Sequence, residues 1–447
     1  MSPAAIGIER TPLESWIAER LAVSASALTR DAIEHYQLTA LRETVAWARN
    51  HSSFYAQRLA EFACDLPRTL DEVARIPLTR PEDLAQRTPE FLCVPQHHIS
   101  RIVTLDSSGT TGARKRIFFT EADQELALEF FAHGVAAMAA PGDRMIIALP
   151  GEREGRVGYQ LARGISRAGV IPIPHGPSVD PAQTLWHMER EKATSIIGLP
   201  VEMLALARSG DPLADTVFHR LRSIVLCGDH VPDSILNALR KRSACEVFEH
   251  YGSTEMGLGG GVDCEAHNGY HLRESDLYFE IVSPETGQPV PHGEIGEVVF
   301  TTLHRQGMPL IRYRTGDLSR LLPGPCACGS ILRRLERVRH RVDGFVSLGA
   351  GGSIGIAALD EVLFAVPGLL DFTASLHSGA PPQLQVTVFA SGNDPAKAQL
   401  AARDALRALP VIRANIAAGE LRLGVALSAE PFSVTGAKRK IEVAAAQ

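Results

Sequence analysis

The chain has 447 residues, enough for two or three domains, and its formal net charge of -6 argues against a general nucleic-acid binder. Its longest apolar runs, such as 145–149, are far shorter than the roughly 20 residues of a membrane-spanning helix, so we expect no membrane partner. Seven cysteines are spread through a chain whose first residues include charges instead of an apolar signal core, which predicts a reducing, cytoplasmic location.

The pattern of apolar residues changes along the chain. Apolar positions recur at helical spacing in residues 1–100, and short apolar runs alternate with helical stretches in residues 101–275. Strand and turn signals then fill residues 276–340. The strand–helix alternation predicts an α/β fold with a parallel sheet, whose ligands bind near the carboxyl ends of the strands.

A break near 341–344 divides the sequence. Residues 1–340 are expected to form a large domain, and residues 345–447 a small α+β domain. The predicted elements of the small domain are a helix, a strand, a second helix and an edge strand, at 357–365, 384–389, 395–409 and 421–427.

A hydroxyl- and glycine-rich segment, which we call the phosphate loop, precedes the strand-like residues 116–120. It consists of Ser107, Ser108, Gly109, Thr110, Thr111 and Gly112. Glycines let backbone N–H groups close on an anion, and hydroxyls add donors that adapt to its oxygens. The segment therefore predicts a phosphate site, with a solvated hairpin turn as the alternative when it is considered alone.

Two later segments supply the context, Tyr251-Gly252-Ser253-Thr254-Glu255 and Tyr313-Arg314-Thr315-Gly316-Asp317. In this order with the phosphate loop, they resemble the adenylate-forming superfamily of acyl-CoA synthetases. The closer resemblance is to the phenylacetate–CoA ligase branch, whose N-terminal helical region is similar to residues 41–48, 53–55 and 76–84.

The resemblance extends from about residue 40 to 440 and implies a fold and an activity. The fold is a large N-terminal domain with a helical start, a parallel α/β sheet and an antiparallel β region, followed by a small mobile α+β domain. The activity is ATP- and Mg²⁺-dependent acid–thiol ligation. An acyl-adenylate forms first, because AMP is a good leaving group, and the acyl group then passes to coenzyme A.

The resemblance also assigns roles in the segment 251–255. Tyr251 packs against the adenine, Thr254 contacts the α-phosphate and Glu255 holds Mg²⁺, with Gly252 and Ser253 in the same nucleotide-binding loop. An aromatic face suits a flat base and a carboxylate suits a hard cation. The alternative is a core tyrosine followed by a helix-capping Thr-Glu pair.

Five further positions match the family pattern. By resemblance, Asp317 accepts hydrogen bonds from both ribose hydroxyls, and Arg341 faces the ribose or a phosphate. Gly228 and Asp229 are expected to line the adenine pocket. Asp343 is expected to be the hinge on which the small domain turns, with a plain linker as the alternative.

The sequence departs from the family pattern at two lysine positions. Ala113 stands directly after the phosphate loop, and Ala437 stands where the family carries its adenylation lysine. We expect Lys438 to stabilise the developing charge during adenylation, with Lys440 or a solvated basic tail as alternatives.

A second constellation predicts a structural zinc site. The expected ligands are Cys264, His271, Cys326 and Cys328. Four soft or borderline ligands suit tetrahedral Zn²⁺, and the resemblance to the family, some of whose members carry a similar cluster, points to His271. His267 is the alternative to His271, and unpaired core thiols are the alternative to a metal site.

The sequence thus predicts a ligase for a small-molecule carboxylic acid, aromatic or arylacetic by analogy. One rival is an adenylating enzyme whose acyl acceptor is a carrier-protein thiol or an amine. Another is a nucleotide-binding protein without catalysis, suggested by Ala113 and Ala437. The oligomeric state stays open, a homodimer included.

Overall fold

The structure is a computed structural model, and it describes eight stretches of the chain. These are residues 12–61, 66–105, 114–151, 153–178, 180–349, 352–392, 394–430 and 439–444. In these stretches, no helix has the length and apolar character needed to cross a membrane.

The α-helices alternate with strands in the middle of the chain and flank them at both ends. They are α1 (Pro12–Arg20), α2 (Arg30–His51), α3 (Ser53–Glu61), α4 (Pro81–Arg87), α5 (Glu121–Gly134), α6 (Val157–Arg167), α7 (Pro181–Arg190), α8 (Pro200–Ala207), α9 (Leu213–Arg220), α10 (Asp233–Arg242), α11 (Ile356–Leu363), α12 (Pro395–Ala408) and α13 (Pro410–Ala417).

The strands are mostly short. They are β1 (Arg101–Leu105), β2 (Lys115–Phe119), β3 (Arg144–Ile147), β4 (Ile171–Pro174), β5 (Ser195–Gly198), β6 (Ser223–Leu226), β7 (Glu246–Tyr251), β8 (Gly261–Val262), β9 (Tyr270–Leu272), β10 (Leu277–Val282), β11 (Gly296–Thr302), β12 (Tyr313–Ser319), β13 (Arg334–Leu335), β14 (His340–Arg341), β15 (Phe345–Ser347), β16 (Ser353–Gly355), β17 (Leu369–His377), β18 (Gln383–Ala390), β19 (Arg422–Leu427) and β20 (Ile441–Ala444).

The chain forms two compact units. Unit 1 comprises the described residues of 1–142, 153–171 and 250–338. Its antiparallel sheet has the order β10-β11-β12, and α2 and α4 pack against this sheet at β11 and β12. A core of buried aromatic and aliphatic side chains joins the helices to the sheet, and its largest members include Phe54, Phe91, Phe119 and Phe300.

Unit 2 comprises the described residues of 143–152, 172–249 and 339–447. It holds the parallel strands β3, β5 and β6 and residues 246–249 of β7, with Ile146 opposite Ile196 and Ile196 opposite Ile224. These strands carry continuous runs of buried residues, as expected for a parallel sheet covered on both faces. The same unit contains a second sheet of order β19-β18-β17-β20, against which α12 packs.

The predicted fold class is confirmed, with its helical start, parallel sheet, antiparallel region and C-terminal α+β segment. The four predicted C-terminal elements, now α11, β18, α12 and β19, differ from the predicted bounds by at most two residues, whereas β17, α13 and β20 were not predicted. Unit 2 joins residues 339–447 to the parallel strands. The division into a large domain (1–340), a hinge (341–344) and a small mobile domain (345–447) stays a prediction.

Candidate active site

The predicted phosphate loop lies outside the described residues, but its two flanking strands form a hairpin. β1 and β2 are antiparallel, with Leu105 opposite Lys115. Lys115 is therefore the first strand residue after the loop. Its side chain is only partly exposed and points toward the segment 251–255 of unit 1.

Tyr251 and Asp317, which are 66 residues apart in the sequence, meet in unit 1. Tyr251 is the last residue of β7. Its hydroxyl donates to Asp317 Oδ2 over 3.0 Å, and both side chains are buried. The ring of Tyr251 stacks on that of Tyr270 at a centroid distance of 5.7 Å.

Asp317 is presented by an irregularity between β11 and β12. The register of these strands shifts between Glu297 and Val299. Gly316 adopts a positive φ of 76° there, and its N–H donates to Glu297 Oε1 over 2.9 Å. The local kink turns Asp317 toward Tyr251, as β-bulges near functional sites commonly do.

The turn that follows Tyr251 is closed by backbone hydrogen bonds and requires glycine. The N–H of Gly260 donates to the Tyr251 carbonyl over 2.8 Å, and the N–H of Leu258 donates to the Ser253 carbonyl over 2.9 Å. A Cβ on Gly252 would lie 2.6 Å from the Cα of Gly259. The glycines therefore let the two arms of the turn touch, which fixes Thr254 and Glu255 between them.

Glu255 is the most heavily contacted of the predicted site residues. Lys115 Nζ lies 2.7 Å from Glu255 Oε1, and the Tyr313 hydroxyl donates to the same oxygen over 3.3 Å. Arg305 Nη1 donates to the Glu255 main-chain carbonyl over 2.7 Å. Both the side chain and the backbone of Glu255 are thus held in place.

Two buried arginines lie behind this arrangement. The guanidinium carbons of Arg305 and Arg101 lie 4.4 and 5.1 Å from the ring centroid of Phe119. Burial lowers the pKa of each to about 10, so both remain cationic at neutral pH. Nε and Nη2 of Arg305 have no hydrogen-bond partner among the described residues. The Arg305 guanidinium makes the surroundings of Glu255 electropositive.

The Cys/His cluster is a second site in unit 1. The ligand atoms of Cys264, His271, Cys326 and Cys328 all lie within 4.8 Å of one another, and all four residues are buried. The Sγ atoms of Cys264 and Cys326 are 3.7 Å apart, and Cys328 Sγ lies 3.4 Å from His271 Nε2. Two sulfurs bound to one zinc at about 2.3 Å in a tetrahedron would be about 3.8 Å apart, so the donor set fits a metal ion.

Pairing of short strands builds this cluster. His271 lies in β9, opposite Arg334 of β13, while the turn containing Cys326 and Cys328 precedes β13. Burial lowers the pKa of His271 to about 4, so its ring is neutral and offers a lone pair. The alternative ligand His267 instead lies 2.7 Å from Asp263 Oδ2 and is outside the cluster.

Comparisons with known proteins identify the family. The AMP-binding enzyme family matches residues 93–304. A phenylacetate–coenzyme A ligase of Pseudomonas putida is 31% identical over 326 residues, which are 70% of this chain and 71% of the relative. This chain belongs to the phenylacetate–CoA ligase family. Another ligase of that name, from Thermus thermophilus, is 28% identical over 76% of this chain and 77% of the relative.

Solved structures support the fold of this ligase. A 2-hydroxyisobutyryl-CoA ligase bound to an acyl-adenylate has a TM-score of 0.78 at 19% identity, covering 100% of this chain and 94% of that chain. A second structure of that enzyme has a TM-score of 0.75, with 92% and 89% covered. The protein is therefore an AMP-forming acid–CoA ligase, an enzyme class that uses ATP, Mg²⁺ and coenzyme A.

Four predicted site residues of this phenylacetate–CoA ligase family member belong to unit 2. Gly228 follows β6 with a positive φ of 85°, and a Cβ there would lie 2.6 Å from a methyl group of Leu199. Asp229 Oδ1 accepts from the N–H of His230. Arg341 Nε lies 3.5 Å from Asp343 Oδ1 in a partly exposed ion pair. Their predicted roles stay predictions, as does that of Lys438, which lies outside the described residues.

Sequence reasoning about this ligase missed three contacts of Glu255. Lys115 stands two residues after Ala113, the position directly after the phosphate loop where the family often has a lysine, and Tyr313 is the first residue of the Asp317 motif. Arg305 carries no local signal, because its guanidinium reaches Glu255 across 50 residues of sequence.

Proposed function

We propose that this ligase activates an aryl or arylacetic acid and that Tyr251, Glu255 and Asp317 bind its Mg²⁺·ATP. The acid class is supported by the relatives from P. putida and T. thermophilus, which are named for phenylacetate. The nucleotide assignment rests on one observation, that the motif 251–255 contacts both other motif regions in unit 1, through the buried pair Tyr251–Asp317 and the pair Glu255–Lys115.

Each of these side chains offers a distinct interaction. The Tyr251 hydroxyl holds one oxygen of Asp317, which orients the carboxylate for the ribose hydroxyls. The Glu255 carboxylate is an oxygen ligand of the kind that Mg²⁺ prefers, and the hydroxyls of Ser253 and Thr254 are adjacent in sequence. When bound, Mg²⁺ neutralises phosphate charge as pyrophosphate leaves.

The proposed ligation proceeds in two steps, adenylation and thioester formation. An oxygen of the acid attacks the α-phosphorus of ATP, and the bond to pyrophosphate breaks, which gives the acyl-adenylate. The thiol of coenzyme A then attacks the acyl carbon and loses its proton, and AMP leaves. This chain contributes fixed carboxylates, hydroxyls and cations that hold the reactants in line.

Acid-dependent exchange of pyrophosphate into ATP tests the proposal across a panel of carboxylic acids. We expect exchange with arylacetic or aryl acids in the absence of coenzyme A, and a thioester product when coenzyme A is added. Exchange only with aliphatic acids would refute the proposed acid class. Exchange without any thioester would favour a carrier-protein thiol or an amine as acceptor. No exchange with any acid of the panel would refute adenylation.

We also propose that the Cys/His cluster binds one structural zinc ion. Four protein ligands leave no open coordination position, so the ion would tie the β9 region to the turn at 326–328 and take no part in catalysis. Elemental analysis of the purified protein should find about one zinc per chain. Cys264→Ser and Cys326→Ser should remove it, whereas the control Cys245→Ser, at a cysteine outside the cluster, should retain it. Purified protein without zinc would refute this.

We propose that Lys438 serves adenylation and that Lys440 does not. Lys440 Nζ lies 3.3 Å from Glu442 in a partly exposed ion pair, which supports assigning it to the surface. Lys438→Ala should abolish pyrophosphate exchange while preserving thioester formation from a supplied acyl-adenylate, and Lys440→Ala is the matched control. Unchanged exchange in Lys438→Ala would refute the assignment.

We place the enzyme in a reducing cytoplasm, because every cysteine among the described residues is a free thiol. Thiol titration without a reductant checks this, since disulfides in freshly isolated protein would contradict it.

A further inference from the structure

One ion pair joins the strand after the phosphate loop to the turn that carries Glu255. Lys115 Nζ lies 2.7 Å from Glu255 Oε1, and the side chains are only 19% and 9% exposed. The Tyr313 hydroxyl lies within 3.4 Å of both atoms. Because water is largely excluded, this pair is stronger than an ordinary surface ion pair.

The carboxylate partner of this pair has little freedom to move. Arg305 holds the main-chain carbonyl of Glu255, and the N–H of Gly257 donates to the carbonyl of Thr254 over 3.0 Å. Lys115, in contrast, carries its ammonium on a flexible four-carbon stem at the very start of β2. If the pair separates, the lysine side chain is the part that moves.

A divalent cation and the Lys115 ammonium repel each other when both bind Glu255 Oε1. A magnesium ion about 2.1 Å from that oxygen would lie less than about 5 Å from Nζ in its present position. Two positive charges at such a distance repel each other more strongly in this partly buried setting than in bulk water. Metal binding at this oxygen therefore requires the lysine to leave.

We propose that Lys115 occupies the Glu255 carboxylate in the nucleotide-free enzyme and exchanges it for the phosphates of the incoming Mg²⁺·ATP. The exchange swaps one anionic partner for a more highly charged one and frees the carboxylate for the metal. The metal then enters with the nucleotide and not before it. This inference rests on the proposed function, since it takes Glu255 as the metal ligand.

Binding of Mn²⁺ alone, measured by the electron paramagnetic resonance of free Mn²⁺ without nucleotide, tests the competition directly. Lys115→Met should tighten Mn²⁺ binding about tenfold, because it removes one charge-assisted hydrogen bond that the metal otherwise has to displace. The same variant should bind ATP about tenfold more weakly, because the phosphates lose a cation. These opposite shifts are not expected from a merely structural residue.

Arg116→Met is the matched control. It removes the same charge from the next position of β2, where the side chain is exposed, and should leave both affinities within about twofold. Equal tightening in both variants would mean that net charge alone acts, and would overturn the proposal. Lys115→Gln serves if thermal unfolding shows that Lys115→Met is misfolded.

Glu255→Gln separates this inference from the proposed function. If the variant binds Mn²⁺ in the presence of ATP as tightly as wild type, Glu255 is not the metal ligand, and the proposed site fails. If it binds Mn²⁺ more weakly while Lys115→Met resembles wild type without nucleotide, the site stands and the exchange by Lys115 is overturned.

Discussion

Two buried glutamates, one in each unit, show how the partners of a carboxylate decide its use. Glu255 of unit 1 is paired with the ammonium of Lys115 and the hydroxyl of Tyr313. Glu202 of unit 2 lies in the first turn of α8, and its donors among the described residues are the backbone N–H groups of Ser178, over 3.0 Å, and Leu199, over 3.3 Å. Burial raises the pKa of Glu202 to about 7 although these hydrogen bonds lower it.

The difference separates an exchangeable carboxylate from a fixed one. A mobile ammonium can leave Glu255 and be replaced by a metal ion, so that the group can take part in a ligand cycle. The donors of Glu202 are backbone N–H groups, of which the one from Leu199 belongs to the N-cap of α8 and cannot leave without disturbing the start of this helix. Burial alone therefore does not mark a functional carboxylate, whereas a mobile cationic partner does.

The largest expected effect is on catalysis at Glu255. Glu255→Gln should lower the rate of pyrophosphate exchange by about 10²–10³-fold, because a neutral amide cannot replace the charge that organises the phosphates. The matched change Glu202→Gln should keep the rate within about twofold, since that residue serves folding. Exchange assays at saturating acid measure both. A comparable loss of exchange rate in both variants would contradict the distinction between a catalytic Glu255 and a structural Glu202.

The second largest expected effect is on the pH dependence of the free energy of unfolding, to which Glu202 contributes. Its pKa is about 7 in the folded protein and 4.5 when unfolded, so the folded state binds the proton more tightly. Its contribution to stability is fully present below pH 4.5 and is lost as pH rises to 7, by roughly 3 kcal/mol.

Urea unfolding of Glu202→Gln at pH 5 and pH 8 measures this contribution. Relative to wild type, the variant should gain stability between pH 5 and pH 8, because it lacks the group that ionises. Glu246→Gln, at an exposed position, is the control and should parallel wild type. A constant difference between Glu202→Gln and wild type would contradict the assignment.

Substitution of Arg305 tests whether the hydrogen bond to the Glu255 carbonyl affects the rate of pyrophosphate exchange. Arg305→Met should slow exchange about tenfold by releasing the Glu255 carbonyl, and should keep or raise the thermal midpoint, since methionine packs on Phe119 without burying a charge. Arg101→Met alters the same ring contact away from Glu255 and should keep the exchange rate. Equal slowing in both variants would assign the effect to packing.

The smallest expected effect concerns the orientation of Asp317. Tyr251→Phe removes the hydroxyl that donates to Asp317 Oδ2 and should raise the KM for ATP about fivefold, the range of one hydrogen bond. Tyr251→Leu removes the ring as well and should raise this KM further. A KM equal to that of wild type in Tyr251→Phe would mean that the hydrogen bond does not orient the carboxylate.

Local pattern and the order of the motifs were sufficient to predict the fold class and the family. The alternation of short apolar runs with helical stretches in residues 101–275 predicted a parallel sheet, and β3, β5 and β6 form one. The motifs ending in Glu255 and Asp317 predicted their own convergence, and the side chains of Tyr251 and Asp317 do meet.

Only the tertiary structure decided which distant charges meet. Lys115 and Arg305 reach Glu255 across 140 and 50 residues of sequence, and the pairing of β9 with β13 brings His271 to the cysteines. Periodicity encodes which face of an element is buried, but the partner of a buried charge depends on how separate elements pack.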